Sequence, residues 1–193
     1  IGLAEIVKKT KKFVPMQKIT SVLKPYGFRT DVIGNHEKYG LAPIFESKND
    51  DTDLVLFAKG YKKFYIPKDY QIPRLAKAFE KYKVFVPYAW GNMSANYLGG
   101  AFSDIVVAKP YDVCTETFQE SGCFNDFEMA YKHAKYLMTK FARALLFVNK
   151  RSQHSTTAWG AVPVQDYSES WWDRPISELD NHLFNKYNIP EYI

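Results

Sequence analysis

Asn125 to Val148 reads NDFEMAYKHAKYLMTKFARALLFV, and its period decides the fold class. Asn125 followed three residues later by Glu128 predicts an N-cap with a reach-back acid. Phe127, Ala130, Ala134, Met138, Phe141, Leu145 and Val148 then recur on one helical face, with Lys132, Lys135 and Arg143 opposite. A long amphipathic helix with a basic outer side is the expectation, and His133 falls along it as an ordinary interfacial residue. Downstream, Ala158 to Val164 predicts a strand. Asp173, after Trp171-Trp172, is placed to cap a last helix carrying Ile176, Leu179, Leu183 and Tyr187.

Upstream the texture changes. Leu54 to Phe57 and Lys63 to Ile66 flank Gly60 and predict two strands joined by a turn. Val84 to Pro87, Ile105 to Val107 and Val113 to Phe118 supply further strands, and Arg74 to Tyr82 reads as a short helix. The chain begins with helical spacing over Leu3 to Lys12 and again from Met16 to about Lys24, where Pro25 and Gly27 stop it. The strands are not regularly separated by helices, so the expected class is α/β or α+β, with a mixed or antiparallel sheet packed against the long C-terminal helix. One domain over 1–193 is predicted, with a helical lead-in at 1–27 and a helical extension at 167–193.

A chain of 193 residues, 46% hydrophobic and 17% aromatic, has ample apolar surface for a core. No run of about 18 apolar residues occurs, which excludes a helical membrane span. The opening Ile1-Gly2-Leu3 carries no charged-then-apolar leader and reads as part of something longer. Cys114 and Cys123 fit neither a disulfide framework nor a four-ligand zinc site, and suit a reducing cytoplasm. The net charge of +5 is unevenly spread. Residues 59–83 hold eight Lys or Arg against two acids, residues 131–151 hold six against none, and the sign reverses from Asp166 onward. Such blocks either steer an anionic partner or simply solvate helix and loop faces.

Several chemistries lack their residues. Gly99-Gly100 has neither the spacing nor the following Lys-Ser/Thr of a phosphate-cradling loop. No Gly-x-Ser-x-Gly elbow occurs, and the four histidines are scattered. Asn49-Asp50-Asp51-Thr52-Asp53 is the only acidic cluster and reads as a solvated turn rather than as a nuclease metal site. The Asn/Asp-Pro-Pro-Tyr/Phe loop with which adenine methyltransferases hold a flipped base is missing, so no catalysis is expected of this stretch alone.

Four segments carry a resemblance: Lys135 to Leu146, Asn149 to Ser155, Val162 to Ser168 with Trp172-Asp173, and Pro25 to Thr30. Tyr82-Lys83-Val84 with Tyr88-Ala89, and Cys114-Thr115-Glu116-Thr117, add to them. Taken in chain order they resemble the C-terminal region of bacterial restriction-modification adenine methyltransferases that carry methylase and specificity regions on one polypeptide. The resemblance implies a target-recognition domain, similar to those of TaqI-like methylases and type I specificity subunits. It implies double-stranded DNA as partner, a catalytic domain on the same polypeptide that binds S-adenosylmethionine, no cofactor here, and a bacterial cytoplasm.

On that reading the expected DNA contacts are Arg29, Thr30, Lys62, Lys63, Lys83, Lys150, Arg151, Gln153, His154 and Ser155. Lys150 to Ser155 joins cations with an amide and hydroxyls and contains no acid: Lys and Arg suit phosphates or guanine, Gln suits adenine. Its alternative role is to cap the end of the long helix. Arg29 either reaches phosphate or pairs with Glu37 or another acidic neighbour. Lys59, Lys62 and Lys63 either contact the DNA backbone or protect a hairpin edge from stray pairing. Trp159, Trp171 and Trp172 are assigned to packing. Two rival functions are a protein-interaction module docking through the aromatic segment 167–192, and a small nuclease.

Overall fold

The computed structural model describes residues 3–51, 53–89, 104–149 and 158–189. Among them, α1 (Leu3–Thr10) leads into β1 (Leu54–Ala58), β2 (Lys62–Ile66), β3 (Tyr82–Pro87), β4 (Val106–Ala108), β5 (Val113–Cys114) and β6 (Phe118–Phe124). The helices α2 (Phe127–Met138), α3 (Lys140–Asn149) and α4 (Ile176–Lys186) follow. The class is mixed α+β, as the spacing of the apolar residues predicts.

Two three-stranded sheets form, in the orders β2-β1-β5 and β4-β3-β6. In the first, β1 pairs antiparallel with β2, Leu56 opposite Phe64, and parallel with β5, Phe57 opposite Cys114. The second is antiparallel throughout. Successive side chains of a strand point to opposite faces, and β3 buries both of its faces. Phe85 packs with Leu56, Phe57, Tyr26, Phe28 and Val113 of the first sheet's core. Val84 and Val86 pack with Leu137, Leu145, Trp159 and Leu183 on the helical side. The order of layers is therefore sheet, sheet, helices, with β4-β3-β6 in the middle.

The long helix predicted over 125–148 is two helices. Thr139 adopts φ −63°, ψ 149°. Its hydroxyl donates to the Tyr136 carbonyl at 2.6 Å and accepts from the Ala142 N–H at 3.1 Å, so one side chain ends α2 and starts α3. The Asp180 carboxylate takes the next free donor, the Phe141 N–H, at 2.9 Å. The N-cap of α2 is Asp126, accepting from the Met129 N–H at 2.8 Å, and not Asn125, whose amide oxygen takes the Lys81 ammonium. Glu128 does not reach back; it pairs with Lys132 at 3.0 Å.

Four other expectations differ from the structure. From Met16 only a 3-10 turn to Lys18 forms. Ile19 to Ser21 then runs along the outer edge of β6, where Ser21 N–H meets the Glu120 carbonyl and Gly122 N–H the Ile19 carbonyl. Residues 74–81 make turns rather than a helix, because the Ala78 N–H is taken by the Glu120 carboxylate and the Phe79 carbonyl by Lys83. Ala158 to Ala161 is a 3-10 turn, after which Val162 and Val164 pair with Met16 and Val14. Asp173 does not cap α4, whose N-cap position is Pro175, but pairs with Lys132 at 3.0 Å. The C-terminal extension belongs to the body: Tyr167, Trp172, Leu179, Leu183 and Tyr187 are buried in the helical-side core.

Candidate nucleic-acid interface

The turn between β1 and β2, Lys59-Gly60-Tyr61, projects from the edge of the first sheet. Gly60 (φ 74°) and Tyr61 (φ 60°) both lie in the left-handed region, which is free for glycine and costs a residue such as tyrosine about 1–2 kcal/mol. Lys59, Lys62 and Lys63 around this turn are exposed. Beside the turn opens a cleft of about 600 Å³, whose lining includes Thr30, Glu116, Thr117, Tyr88 and Leu23 together with Lys59 and Tyr61. Of the predicted contacts, Thr30 lines this cleft; Lys62 and Lys63 are exposed on β2 outside its lining and, as successive strand residues, point to opposite faces of the sheet.

Glu116 organises the far wall. One carboxylate oxygen accepts the Thr30 N–H at 3.1 Å and faces Arg29 Nε at 3.4 Å, and the other lies 3.2 Å from Lys24 Nζ. The segment that presents Glu116 is itself anchored by its backbone, Thr115 N–H to the Phe57 carbonyl and Glu116 N–H to the Phe28 carbonyl. Arg29 therefore pairs with Glu116 rather than Glu37, while its side chain stays half-exposed at 51%. One carboxylate between two cations leaves this wall net positive, and Lys59 adds to it across the mouth.

Lys83 is a correction. It lies on β3 between the two sheets, fully buried, and donates to the carbonyls of Lys109 at 2.7 Å and Phe79 at 3.1 Å. A side chain sealed in this way cannot reach DNA. Burial pushes its ammonium down to about 8, against the pull of Asp112 and Glu120. Nearby, the Tyr26 hydroxyl donates to Glu120, and burial raises both groups. Lys83→Ala is expected to take one donor from each of two carbonyls, which keep the N–H groups of Tyr111 and Asp112, and to leave a void between the sheets, destabilising the fold by about 1–3 kcal/mol while leaving DNA affinity at permissive temperature unchanged. Urea unfolding and a duplex titration of the same variant check the two halves; a selective loss of DNA binding with normal stability returns Lys83 to the interface.

The basic outer side of the long helix is largely used internally. Lys132 bridges Glu128 and Asp173, and Lys135 donates to the carbonyls of Trp172 at 2.6 Å and Arg174 at 2.7 Å. Both lysines fasten α2 to the 172–174 turn. Lys140 is exposed. Lys150, Arg151, Gln153, His154 and Ser155 lie outside the described residues. Near the acidic stretch, Asp53 accepts the N–H groups of Asn49 and Asp50, a turn-forming role.

The sequence reading missed the buried polar chain on β6. Ser121 Oγ lies 2.9 Å from His133 Nε2, and His133 Nδ1 lies 2.7 Å from the Tyr167 hydroxyl. Gln119 accepts from the Trp159 indole at 3.1 Å and donates to the Ser21 carbonyl at 2.7 Å. Ser121 and His133 are completely buried, so the trio joins β6, α2 and the 165–168 segment and faces no substrate. Trp159 and Trp172 are core residues, as their assignment to packing expects. Among the described residues no three His, Cys, Asp or Glu side chains converge as metal ligands would, and no helix is long and apolar enough to cross a membrane. Set against known protein families, curated proteins and solved structures, the chain matches none of them.

Proposed function

We propose that this chain reads duplex DNA, as the target-recognition part of a bacterial restriction-modification adenine methyltransferase. On this reading the catalytic domain, with its S-adenosylmethionine, belongs to the rest of the polypeptide, and the protein works in the cytoplasm. The observation that carries the DNA reading is exposed Lys59 in the lining of a cleft that also holds Thr30 and Glu116, the latter paired with Lys24 and the half-exposed Arg29, with Lys62 and Lys63 exposed on the adjoining strand. The methyltransferase assignment rests on the ordered motifs from Pro25 to Asp173.

Physically, such a surface binds in two steps. The lysines neutralise phosphates and release condensed counterions, a sequence-independent term, and the hydroxyls and amides beside them set register. The 150–155 stretch, with its two cations, one amide and two hydroxyls, supplies groups of the kind that read base edges. The domain contributes specificity; the catalytic partner contributes methyl transfer.

Fluorescence anisotropy with a labelled duplex, between ~50 and ~200 mM salt, tests the reading. Binding should weaken steeply with salt. Replacing Lys59, Lys62 and Lys63 together by Gln should lower the log-log slope by about 0.9 for each phosphate that is no longer neutralised. A flat salt response of the unaltered protein, or an unchanged slope in the triple variant, refutes it.

A further inference from the structure

We infer that a second cleft, between residues 18–22 and residues 74–77, binds a phosphomonoester: the terminal phosphate of a small organic molecule. The inference is independent of the DNA reading above and concerns a different surface. Phe118 lines the cleft beside the β1–β2 turn, whereas Gly122 and Cys123 line this one, which sets the two about 13 Å apart along β6 at ~3.3 Å per residue.

The hollow has a volume of about 270 Å³, close to the lower end of small-ligand sites, roughly 300–1,000 Å³. Lys18 belongs to one wall, Arg74 and Lys77 to the other. All three are exposed, and among the described residues none of them pairs with a carboxylate. The one acid in the lining, Glu120, is only 4% exposed, and its carboxylate already accepts from the Tyr26 hydroxyl and the Ala78 N–H. Three cations around one sequestered carboxylate leave the cleft net positive. Their chemistry suits phosphate oxygens, which a guanidinium fork takes in pairs and an ammonium group takes as a point charge.

The backbone adds donors. The N–H groups of Leu75, Ala76 and Lys77 have no acceptor among the described residues, and runs of free N–H groups in a turn are a recurring part of anion sites. Both walls are fastened to Glu120: the Ser21 N–H donates to its carbonyl at 2.7 Å, and the Ala78 N–H to its carboxylate at 3.1 Å. The cationic residues are thus mounted on two walls tied to one another, and an anion between them relieves their mutual repulsion. The lips decide the kind of phosphate. Val22 and Leu75, at 60% and 61% exposure, offer apolar contact to an organic group. A phosphate inside a nucleic-acid strand has a sugar on each side and follows an open groove. A terminal phosphate carries about −1.5 to −2 charges at neutral pH and enters a small hollow end-on.

Cys123 lines the cleft and is exposed, while Cys114 is buried, so alkylation of Cys123 by the neutral reagent iodoacetamide reports occupancy. The whole 193-residue chain is titrated with phenyl phosphate at constant ionic strength, and the alkylation rate is followed by mass spectrometry. Phenyl phosphate should slow the reaction saturably, at lower concentration than inorganic phosphate. Arg74→Gln should raise the half-protecting concentration about tenfold, the scale of one charge-assisted hydrogen bond. The triple variant Lys18→Gln, Arg74→Gln, Lys77→Gln should show no protection; all three side chains are exposed, so the core is untouched. Lys68→Gln, an equal loss of charge at an exposed residue outside the lining, should leave the midpoint where it was. Absence of protection by phenyl phosphate, or protection that survives the triple variant, overturns the site. A shift from Lys68→Gln as large as that from Arg74→Gln reduces the effect to overall charge and overturns it too. Protection by a DNA duplex and not by phenyl phosphate overturns the ligand class, and equal midpoints for phenyl and inorganic phosphate overturn the role of Val22 and Leu75.

Discussion

Trp172→Ala is expected to lower the free energy of unfolding by about 3–5 kcal/mol, among the largest effects of any single substitution here. The indole is completely buried. It stacks on Trp171 with centroids 4.0 Å apart, and packs against Tyr167 at 5.0 Å and edge-on to Tyr136 at 5.7 Å. Truncation removes that packing area, leaves a cavity that the surrounding rings cannot close, and deprives the Asp166 carbonyl of the Nε1–H donor it now meets at 2.7 Å. It also loosens the turn whose backbone receives Lys135. Ile176→Ala, on the same segment but substantially exposed, serves as control and should cost under about 1 kcal/mol. Urea denaturation measures both; a Trp172→Ala midpoint close to that of the control would show that the C-terminal segment is not part of the core.

Acid should weaken the fold through His133. Burial depresses its pKa to about 3, from an ordinary value near 6.5, and the polar groups facing it, Ser121 and Tyr167, carry no charge that would favour the imidazolium. The unfolded chain takes up a proton near pH 6.5 that the folded chain refuses until about pH 3. This contribution is therefore complete above pH 6.5 and is lost as the pH falls from there toward 3. Its full size is on the order of 4–5 kcal/mol, at 1.36 kcal/mol per pH unit. Glu120, Asp112 and Asp180, whose carboxyls burial raises, act in the opposite direction. The informative quantity is thus the stability of the unaltered protein minus that of His133→Gln, measured at several pH values. That difference should shrink steadily from about pH 7 to about pH 4; a constant difference would mean that the folded imidazole titrates as in the unfolded chain, open to water, and a growing one that the fold holds it protonated.

Much of the architecture is legible in the residues, and the misreadings share one physical origin. Leu54 to Phe57, Lys63 to Ile66 and Val84 to Pro87 are apolar and β-branched or aromatic runs, and all three become strands. The last helix carries its apolar stripe at Leu179 and Leu183 and folds accordingly. By contrast β6, seven residues long, runs on past Phe118 as Gln119-Glu120-Ser121, which looks like loop. Those three polar side chains point inward, and partners remote in sequence satisfy them: Ser21 and Trp159, Tyr26, and His133. Pattern reading has no access to such partners. The same holds for Thr139, whose hydroxyl splits a periodic stretch that otherwise reads as one helix.

The candidate surface divides in the same way. Arg29 and Thr30 are exposed in the loop after Gly27, Lys59 is exposed at the β1–β2 turn and Lys62 and Lys63 on β2, an exposure that charge alone makes legible. Lys83 sits in an apolar strand, Lys-Val-Phe-Val, and only its two carbonyl acceptors, at Phe79 and Lys109, reveal it as an interior strut. Glu116 escaped notice because its importance lies in three donors from residues 24–30, far away along the chain.

Because β3 has one side in each hydrophobic cluster, neither half of the molecule is closed without the other. A break in that strand would expose Leu56 and Phe57 on one side and Leu137 and Leu145 on the other. The two clusters should then melt together in a single calorimetric transition, and a proteolytic nick within 82–87 should dissolve the whole body instead of releasing a stable half. On the DNA reading proposed above, the β1–β2 turn and the distant helices would then be lost together, as one cooperative unit.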